Sequence, residues 1–220
     1  MTPGQRAVAA RAASVLLRHP DRDVLAALPT VRAALAELPT GTAGPLATVA
    51  DHLATVADHL AAVADHLAAG DPGTLAAGYV ATFDFRRRCT LYLTYYTHGD
   101  TRARGQALAE VAAVYRTAGY TLDGELPDYL PAVLELAAAA GSPGWQILHA
   151  HRVGLDLLAA ALERDGSGYT HAMAAVRALL PPARPGDAAA ARRLAATGPP
   201  AELVGLDPFP ATPTTTGGRR

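Results

Sequence analysis

The sequence predicts an all-α protein folded as one helical bundle. Half of its 220 residues are hydrophobic, but only 5% are aromatic. Alanine and leucine are the commonest apolar residues and β-branched residues are few, a balance that favours helix over strand. Apolar residues also recur at helical spacing, as at Leu108, Val111 and Tyr115. Proline and glycine fall between such segments, where they end helices.

These breaks divide the chain into eight predicted helices. Asp71 before Pro72 and Asp100 before Thr101 are N-cap candidates, because a short carboxylate can accept hydrogen bonds from the free N–H groups of a first helical turn. The predicted helices lie near residues 4–18, 22–37, 45–69, 73–97, 101–118, 127–140, 144–164 and 168–180.

A seven-residue repeat lies in the third predicted helix, where LATVADH, LATVADH and LAAVADH precede Leu67. Leucine and valine recur there in the a/d pattern of a coiled coil over residues 46–67. Two interpretations are open: a seam for a partner helix, or a slippage expansion that only lengthens one helix. Three heptads are at the lower limit for a coiled coil, so we favour the expansion. Successive repeat histidines would lie about 10.5 Å apart, too far to share a metal ion, and no metal site is predicted.

The composition divides the chain near residue 180. Residues 1–180 form the predicted helical domain, which contains the 46–67 repeat. Residues 181–220 are rich in Pro, Ala, Gly and Thr, and we predict a mostly disordered tail with one possible short helix near 187–197. The tail also has apolar residues concentrated enough to dock onto a surface, by default the protein's own: Leu203, Val204, Leu206 and Phe209.

Charge and cysteine content exclude several classes of protein. Nineteen basic and twenty acidic residues leave a net charge of -1, which argues against nucleic acid or an anionic membrane as a partner. The single cysteine, Cys89, cannot form an intramolecular disulfide. The N-terminal segment lacks the continuous apolar core of a signal peptide, and no stretch approaches the roughly 18 apolar residues of a membrane-spanning helix. We therefore expect a cytoplasmic protein that does not insert into a membrane.

The familiar motifs of enzymes are missing from the sequence: there is no GxSxG, phosphate-binding loop, HExxH or paired-cysteine motif. The protein is therefore expected not to be an enzyme. A small hydrolase using His98 and Asp100 is one alternative, disfavoured because neither a strand-borne nucleophile nor a phosphate loop accompanies them. The other alternative is a helical adaptor that dimerises through the 46–67 heptads.

Residues 79–105 (YVATFDFRRRCTLYLTYYTHGDTRARG) are the most informative segment. They contain six of the twelve aromatic residues and five arginines, a composition typical of interaction hot spots. The opposing interpretation is that the rings are core and that Arg102 and Arg104 pair with Asp84, Asp100 or Asp128.

This segment closely resembles the signature of the NarJ-type proteins, the delta subunit family of respiratory nitrate reductase, which is related to the TorD/DmsD redox-enzyme maturation chaperones. The resemblance continues at 126–131 (LPDYLP), with Tyr129 where the family has His, and at Leu134-Glu135. It extends loosely to 151–155 and to 204–209 of the tail. Ala81 stands where the family often has Glu.

The resemblance implies a single-domain helical bundle of the TorD/NarJ type and a cytoplasmic chaperone for nitrate reductase, with a place in nitrate assimilation. It would bind the apo catalytic subunit through that subunit's N-terminal leader-like helix. The client would stay competent for molybdenum cofactor insertion before membrane attachment. The chaperone itself would hold no cofactor stably and would be a monomer or weak dimer.

An amphipathic client helix needs an apolar groove with polar groups at its rim, and we expect the predicted helix 83–97 and the turn 98–105 to provide one. The expected client-binding residues are Tyr79, Phe83, Arg87, Tyr92, Tyr95, Tyr96 and Asp128. The residues expected to frame the motif are Asp84, Asp100, Arg102, Arg104, Gly105, Leu126 and Pro127.

Overall fold

The computed structural model describes residues 1–38 and 47–200. Within them the regular structure is helical, with one 3₁₀ turn at Arg87–Cys89 and no strand beyond an isolated bridge, which confirms the all-α prediction. No helix of this described part is long and apolar enough to cross a membrane. The helices are α1 (Pro3–Leu16), α2 (Arg22–Ala36), α3 (Ala47–Ala69), α4 (Pro72–Phe83), α5 (Tyr95–His98), α6 (Arg102–Thr117), α7 (Leu130–Ala140), α8 (Ser142–Ala150), α9 (Arg152–Arg164), α10 (Thr170–Ala178) and α11 (Asp187–Thr197).

Helix α1 lies at the centre of the bundle, in contact with α2, α3, α7 and α10. Its alanines Ala9, Ala10 and Ala13 are fully buried, and side chains this small allow neighbouring helices to approach closely. The helix begins with a capping box, in which Thr2 and Gln5 each accept a hydrogen bond from the other's backbone N–H.

Helix α3 contains the heptad repeat, and its apolar stripe belongs to the core. The helix packs against α10, α2 and α1. The described part of the repeat therefore does not lengthen a helix beyond the packed body, although it can still be an expansion that lengthens α3 within the core. The stripe packs against other helices of the same bundle, so its described part is not available for dimerisation. The stripe residues of the described part are at most 2% exposed: Leu53, Val56, Leu60, Val63 and Leu67.

The repeat histidines of α3 face α10 at separate points along its length. His52 Nε2 lies 2.7 Å from the carbonyl oxygen of Ala178, and His59 Nδ1 lies 3.0 Å from Nδ1 of His171. Burial, and secondarily the charge of His171, lowers the pKa of His59 below its ordinary value. The histidines thus serve the α3–α10 contact individually.

Two predicted helices are interrupted. The helix predicted over 73–97 ends at Phe83 and resumes only as the short α5, because the intervening chain is partly extended and pairs with a distant segment. The helix predicted over 144–164 is divided into α8 and α9 at His151, whose backbone (φ -99°, ψ 18°) leaves the helical region. The other predicted bounds agree with the structure within three residues.

One of the two predicted N-caps is confirmed. Asp71 caps α4, where its Oδ2 accepts a hydrogen bond from the backbone N–H of Thr74 at 3.0 Å. The prediction for Asp100 is wrong, because Thr101 is the N-cap residue of α6. Asp100 instead pairs with the arginines Arg87 and Arg104.

The described chain continues past the predicted boundary at residue 180. Residues 187–197 form α11, the short helix that the sequence allowed, and α11 packs against α9. The chain then reaches Pro200, whose carbonyl oxygen lies against Gly99. The rest of the predicted tail, residues 201–220, lies outside the described residues.

Candidate functional site

The two signature segments of the sequence, residues 79–105 and 126–131, meet through their backbones. The residues before α5 and those before α7 form an antiparallel bridge at Tyr92 and Tyr129. Leu93 donates its N–H to the carbonyl oxygen of Asp128 at 3.0 Å, and Leu130 donates to that of Leu91 at 2.8 Å. This junction explains why the predicted helix 73–97 is broken, since extended backbone is needed for the pairing.

Asp128 fixes the junction from inside the protein. Its carboxyl group is fully buried, and Oδ2 accepts hydrogen bonds from the backbone N–H of Thr94 at 2.9 Å and from its hydroxyl at 2.5 Å. Arg104 approaches from the surface side, where Nε donates to the Thr94 hydroxyl at 3.2 Å and Nη2 lies 3.9 Å from Oδ2 of Asp128. A buried carboxyl group cannot touch a client, so the prediction of client contact for Asp128 is wrong and the residue belongs to the frame.

An ion-pair chain continues from the junction to the surface. Arg104 Nη1 lies 3.5 Å from Oδ1 of Asp100, and Asp100 Oδ2 lies 3.4 Å from Nη1 of Arg87. Arg104 also lies 5.9 Å from the ring centroids of both Tyr92 and Tyr95. Exposed ion pairs contribute little free energy, so the buried Thr94–Asp128 contact holds the frame and the outer pairs orient Arg104.

The other predicted frame residues differ in their surroundings. Leu126 accepts a hydrogen bond from the Tyr129 N–H at 3.1 Å, so the turn through Leu126 and Pro127 leads into the bridge. A Cβ added at Gly105 would meet nothing within 4 Å, so close packing does not require glycine there. Arg102 is exposed at the start of α6, and Asp84 is exposed at the end of α4.

Three of the predicted client-binding rings are largely buried, and two of them, Tyr79 and Phe83, also line the groove described below. Tyr79, Phe83 and Tyr96 are 4%, 5% and 4% exposed. The Tyr96 hydroxyl donates to the carbonyl oxygens of Arg88 and Thr90 at 3.1 and 2.9 Å. These bonds tie α5 to the preceding turn. Direct client contact is therefore wrong for Tyr96, whereas Arg87, Tyr92 and Tyr95 keep accessible surface.

The signature segments line a groove made of two cavities that adjoin at Glu125 and Tyr129; we call it the tyrosine groove. The smaller cavity has a volume of about 210 Å³ and the larger one about 460 Å³. The smaller cavity is lined by His19, Tyr79, Phe83, Asp84, Leu91, Tyr92, Glu125 and Tyr129. Lining residues of the larger cavity include Arg11, Arg18, Tyr115, Tyr120, Leu122, Glu125, Tyr129, Glu135 and Leu136.

Tyrosine hydroxyls of the groove form a hydrogen-bonded set. Tyr79 donates to the Leu17 carbonyl oxygen at 3.0 Å, and its hydroxyl lies 3.1 Å from that of Tyr129. Tyr92 donates to Oε1 of Glu125 at 3.1 Å. Burial, with Glu125 as the second cause, raises the pKa of Tyr92 to about 12, and burial also raises the pKa of Tyr79 and of Tyr129. The hydroxyls therefore remain neutral hydrogen-bonding groups at physiological pH.

Charges of both signs lie along the rim of the groove. Arg11 on α1 and Arg18 just after it line the larger cavity together with the acidic Glu125 and Glu135, and Arg11 is paired with Glu135. The groove thus combines aromatic and aliphatic walls with polar groups at its edge, as an amphipathic helix requires.

A family model described as nitrate reductase delta subunit matches residues 36–175. The chain belongs to the nitrate reductase delta subunit family. The resemblance found in the sequence is thereby confirmed.

Curated relatives of this delta subunit family member align over about half of the chain. Nitrate reductase-like protein NarX from Mycobacterium tuberculosis is 46% identical over 108 residues, 48% of this chain and 17% of NarX. The probable nitrate reductase molybdenum cofactor assembly chaperone NarJ of Bacillus subtilis is 35% identical over 111 residues, 50% of this chain and 60% of that protein. The NarJ chaperone of Escherichia coli is 39% identical over 101 residues, 45% and 43% of the two chains. The aligned region thus spans less than two thirds of each relative's length.

Several groove residues of this family member were not predicted from the sequence. Arg11, Arg18 and His19 come from α1 and the turn after it, outside the matched range, and they reach the groove only because α1 packs at the centre of the bundle. Tyr120 and Glu125 lie between the two signature segments. Their position between the two signature segments is the signal that could have identified them.

The structure does not bring His98 and Asp100 together as the alternative of a small hydrolase would require. His98 Nδ1 lies 2.9 Å from the Thr97 hydroxyl, whereas Asp100 pairs with Arg87 and Arg104. Cys89 is fully buried, and burial together with Asp165 raises the pKa of its thiol. A thiol in this state is a poor nucleophile.

Proposed function

We propose that this protein is an assembly chaperone for nitrate reductase, a binding protein and not an enzyme. It binds the apo catalytic subunit through that subunit's N-terminal leader-like helix and keeps it competent for molybdenum cofactor insertion before membrane attachment. Family membership and the names of the relatives support the chaperone class. The role in the cytoplasm and in nitrate assimilation belongs to the same proposal.

The tyrosine groove is the proposed binding site for the leader helix. The observation that carries this assignment is that both signature segments converge on one groove, although more than thirty residues separate Tyr92 from Tyr129 along the chain. The rings of Tyr92 and Tyr129 offer apolar surface to one face of an amphipathic helix. Neutral hydroxyls and the rim charges select for polar groups beside that face.

The experiment is calorimetric titration of the full chain with a peptide of roughly the first 20 residues of the catalytic subunit, a helix-in-groove length. Tyr120→Ala and Tyr92→Ala should each weaken binding about tenfold or more, as expected of aromatic hot-spot residues. Phe85→Ala is the matched control, because Phe85 belongs to the same aromatic segment, is 80% exposed and does not line the groove.

Two results would contradict the proposal. The first is no heat of binding and no chemical-shift change with the wild-type chain at millimolar peptide. The second is that Phe85→Ala weakens binding as much as the groove variants do. Circular dichroism of each variant separates lost binding from lost folding.

A further inference from the structure

A second groove, which the proposed function does not use, lies between α6 and α8. We call it the α6–α8 groove; its volume is about 530 Å³, and most of its lining surface is apolar. Its apolar lining residues are Ala103, Ala107, Val111, Val114, Ile147 and Ala150. Within the described residues no chain segment fills it.

The chain itself arrives at one end of this groove. Gly99 has φ +57°, and a Cβ there would lie 1.8 Å from the carbonyl oxygen of Pro200. Pro200 is therefore seated directly on Gly99, and the neighbouring His98 lines the α6–α8 groove. Gly198 and Pro199 line another cavity together with Tyr95, so the described chain ends beside α5, directly before α6.

The length and composition of the chain beyond Pro200 match the groove. The sequence LVGLDPF occupies residues 203–209 and has four large apolar side chains in seven residues. Three further residues can span roughly 10 Å, and the segment from Leu203 to Phe209 can span about 20 Å when extended. The groove follows α6 from Ala103 to Val114, a rise of about 16 Å.

We infer that residues 203–209 of this chain dock into the α6–α8 groove and hold α6 against α8. Docking would cover apolar surface that only α6 and α8 line, and it would stabilise a helix of which only Ala107, Val111 and Tyr115 are buried. The inference is independent of client binding in the tyrosine groove.

Amide hydrogen exchange of the full chain tests the inference from the tail side. Leu206→Asp with Phe209→Asp should release the segment and speed exchange in α6 several-fold, because local opening of that helix becomes easier. Thr214→Asp with Thr216→Asp is the matched control: it adds the same charge beyond the apolar segment and should leave α6 exchange unchanged.

A second pair of variants tests the inference from the groove side. Ala103 and Ala109 are both exposed residues of α6, but only Ala103 lines the groove. Ala103→Trp should fill the groove and bring exchange of residues 203–209 to the rate of a free peptide, whereas Ala109→Trp should not.

Three outcomes would overturn the inference. The first is free-peptide exchange of residues 203–209 in the wild-type chain. The second is equal exchange in the test and control variants. The third is protection that disappears on serial dilution, which would place the segment in a second copy of the chain and not in its own groove.

Discussion

Deletion of one heptad, residues 53–59, tests how α3 is built. The deletion removes two stripe residues, Leu53 and Val56, that are at most 2% exposed. The preceding residues 46–52 have the identical sequence LATVADH. Seven residues turn a helix by about 700°, so the preceding repeat enters the vacated place only about 20° out of register. The core should therefore regain the same side chains.

The expected magnitude follows from comparison with Leu53→Ala/Val56→Ala, which removes the same side chains without replacement. That double variant should lose about 4 kcal/mol or more of unfolding free energy. For a chain of this size the loss corresponds to a fall in melting temperature of roughly 10 °C. The deletion shortens the helix by about 10.5 Å but returns the same side chains to the core. The deletion should therefore lose less than half of the unfolding free energy that the double variant loses.

Thermal unfolding by circular dichroism, with light scattering for oligomeric state, measures both variants against the wild-type chain. In the deletion variant His52 takes the place of His59, so its contact with the Ala178 carbonyl oxygen is lost together with the first helical turns. A small fall in melting temperature is therefore expected. A deletion as unstable as the double-alanine variant, or less stable, would refute the register argument. A change from dimer to monomer would show that the repeat also serves an interface.

Three further predictions concern the frame, helix packing and pH. Asp128→Ala should lower the free energy of unfolding by about 3 kcal/mol, because it leaves buried donors unpaired, whereas Asp84→Ala, at an exposed residue, should leave it nearly unchanged. Equal losses for the two variants in urea unfolding would contradict the structural role of Asp128. Gly144→Ala places a Cβ 2.2 Å from a backbone nitrogen of α7 and should lower the free energy of unfolding by about 3 kcal/mol or more, whereas Gly105→Ala, in open space, should raise it by about 0.5–1 kcal/mol. A lower melting temperature for Gly105→Ala than for Gly144→Ala would contradict this packing. Because the pKa of His59 is lowered in the folded state, its contribution to stability is present above pH about 6.5 and is lost as the pH falls through the folded-state pKa. His59→Gln should therefore flatten the fall in melting temperature below pH about 6.5, and an unchanged pH profile would show that His59 does not cause that fall.

The aromatic segment shows where sequence reasoning stops. The density of rings in residues 79–105 indicates that they bury area, but it does not say against what. Tyr79 and Phe83 bury theirs in a cluster with Tyr169, with ring centroids 4.7 to 5.8 Å apart. Tyr92, thirteen residues beyond Tyr79, is only half-buried and keeps accessible surface in the groove. Composition is identical for a core ring and a binding ring, so only the position of the distant partner separates them.

The helical class, most helix bounds, the cap at Asp71 and the family could all be read from the sequence, because helix periodicity and capping act within a few residues and a signature is read along the chain. Contacts across the fold, by contrast, place α3 in the core, end α4 at Phe83 and bury Asp128. Each of these outcomes depends on a contact between segments far apart in sequence, such as α3 with α10 or Leu91 with Leu130. Local propensity can be overridden wherever such a contact buries apolar surface or satisfies the backbone, as the extended bridge in the predicted helix 73–97 does.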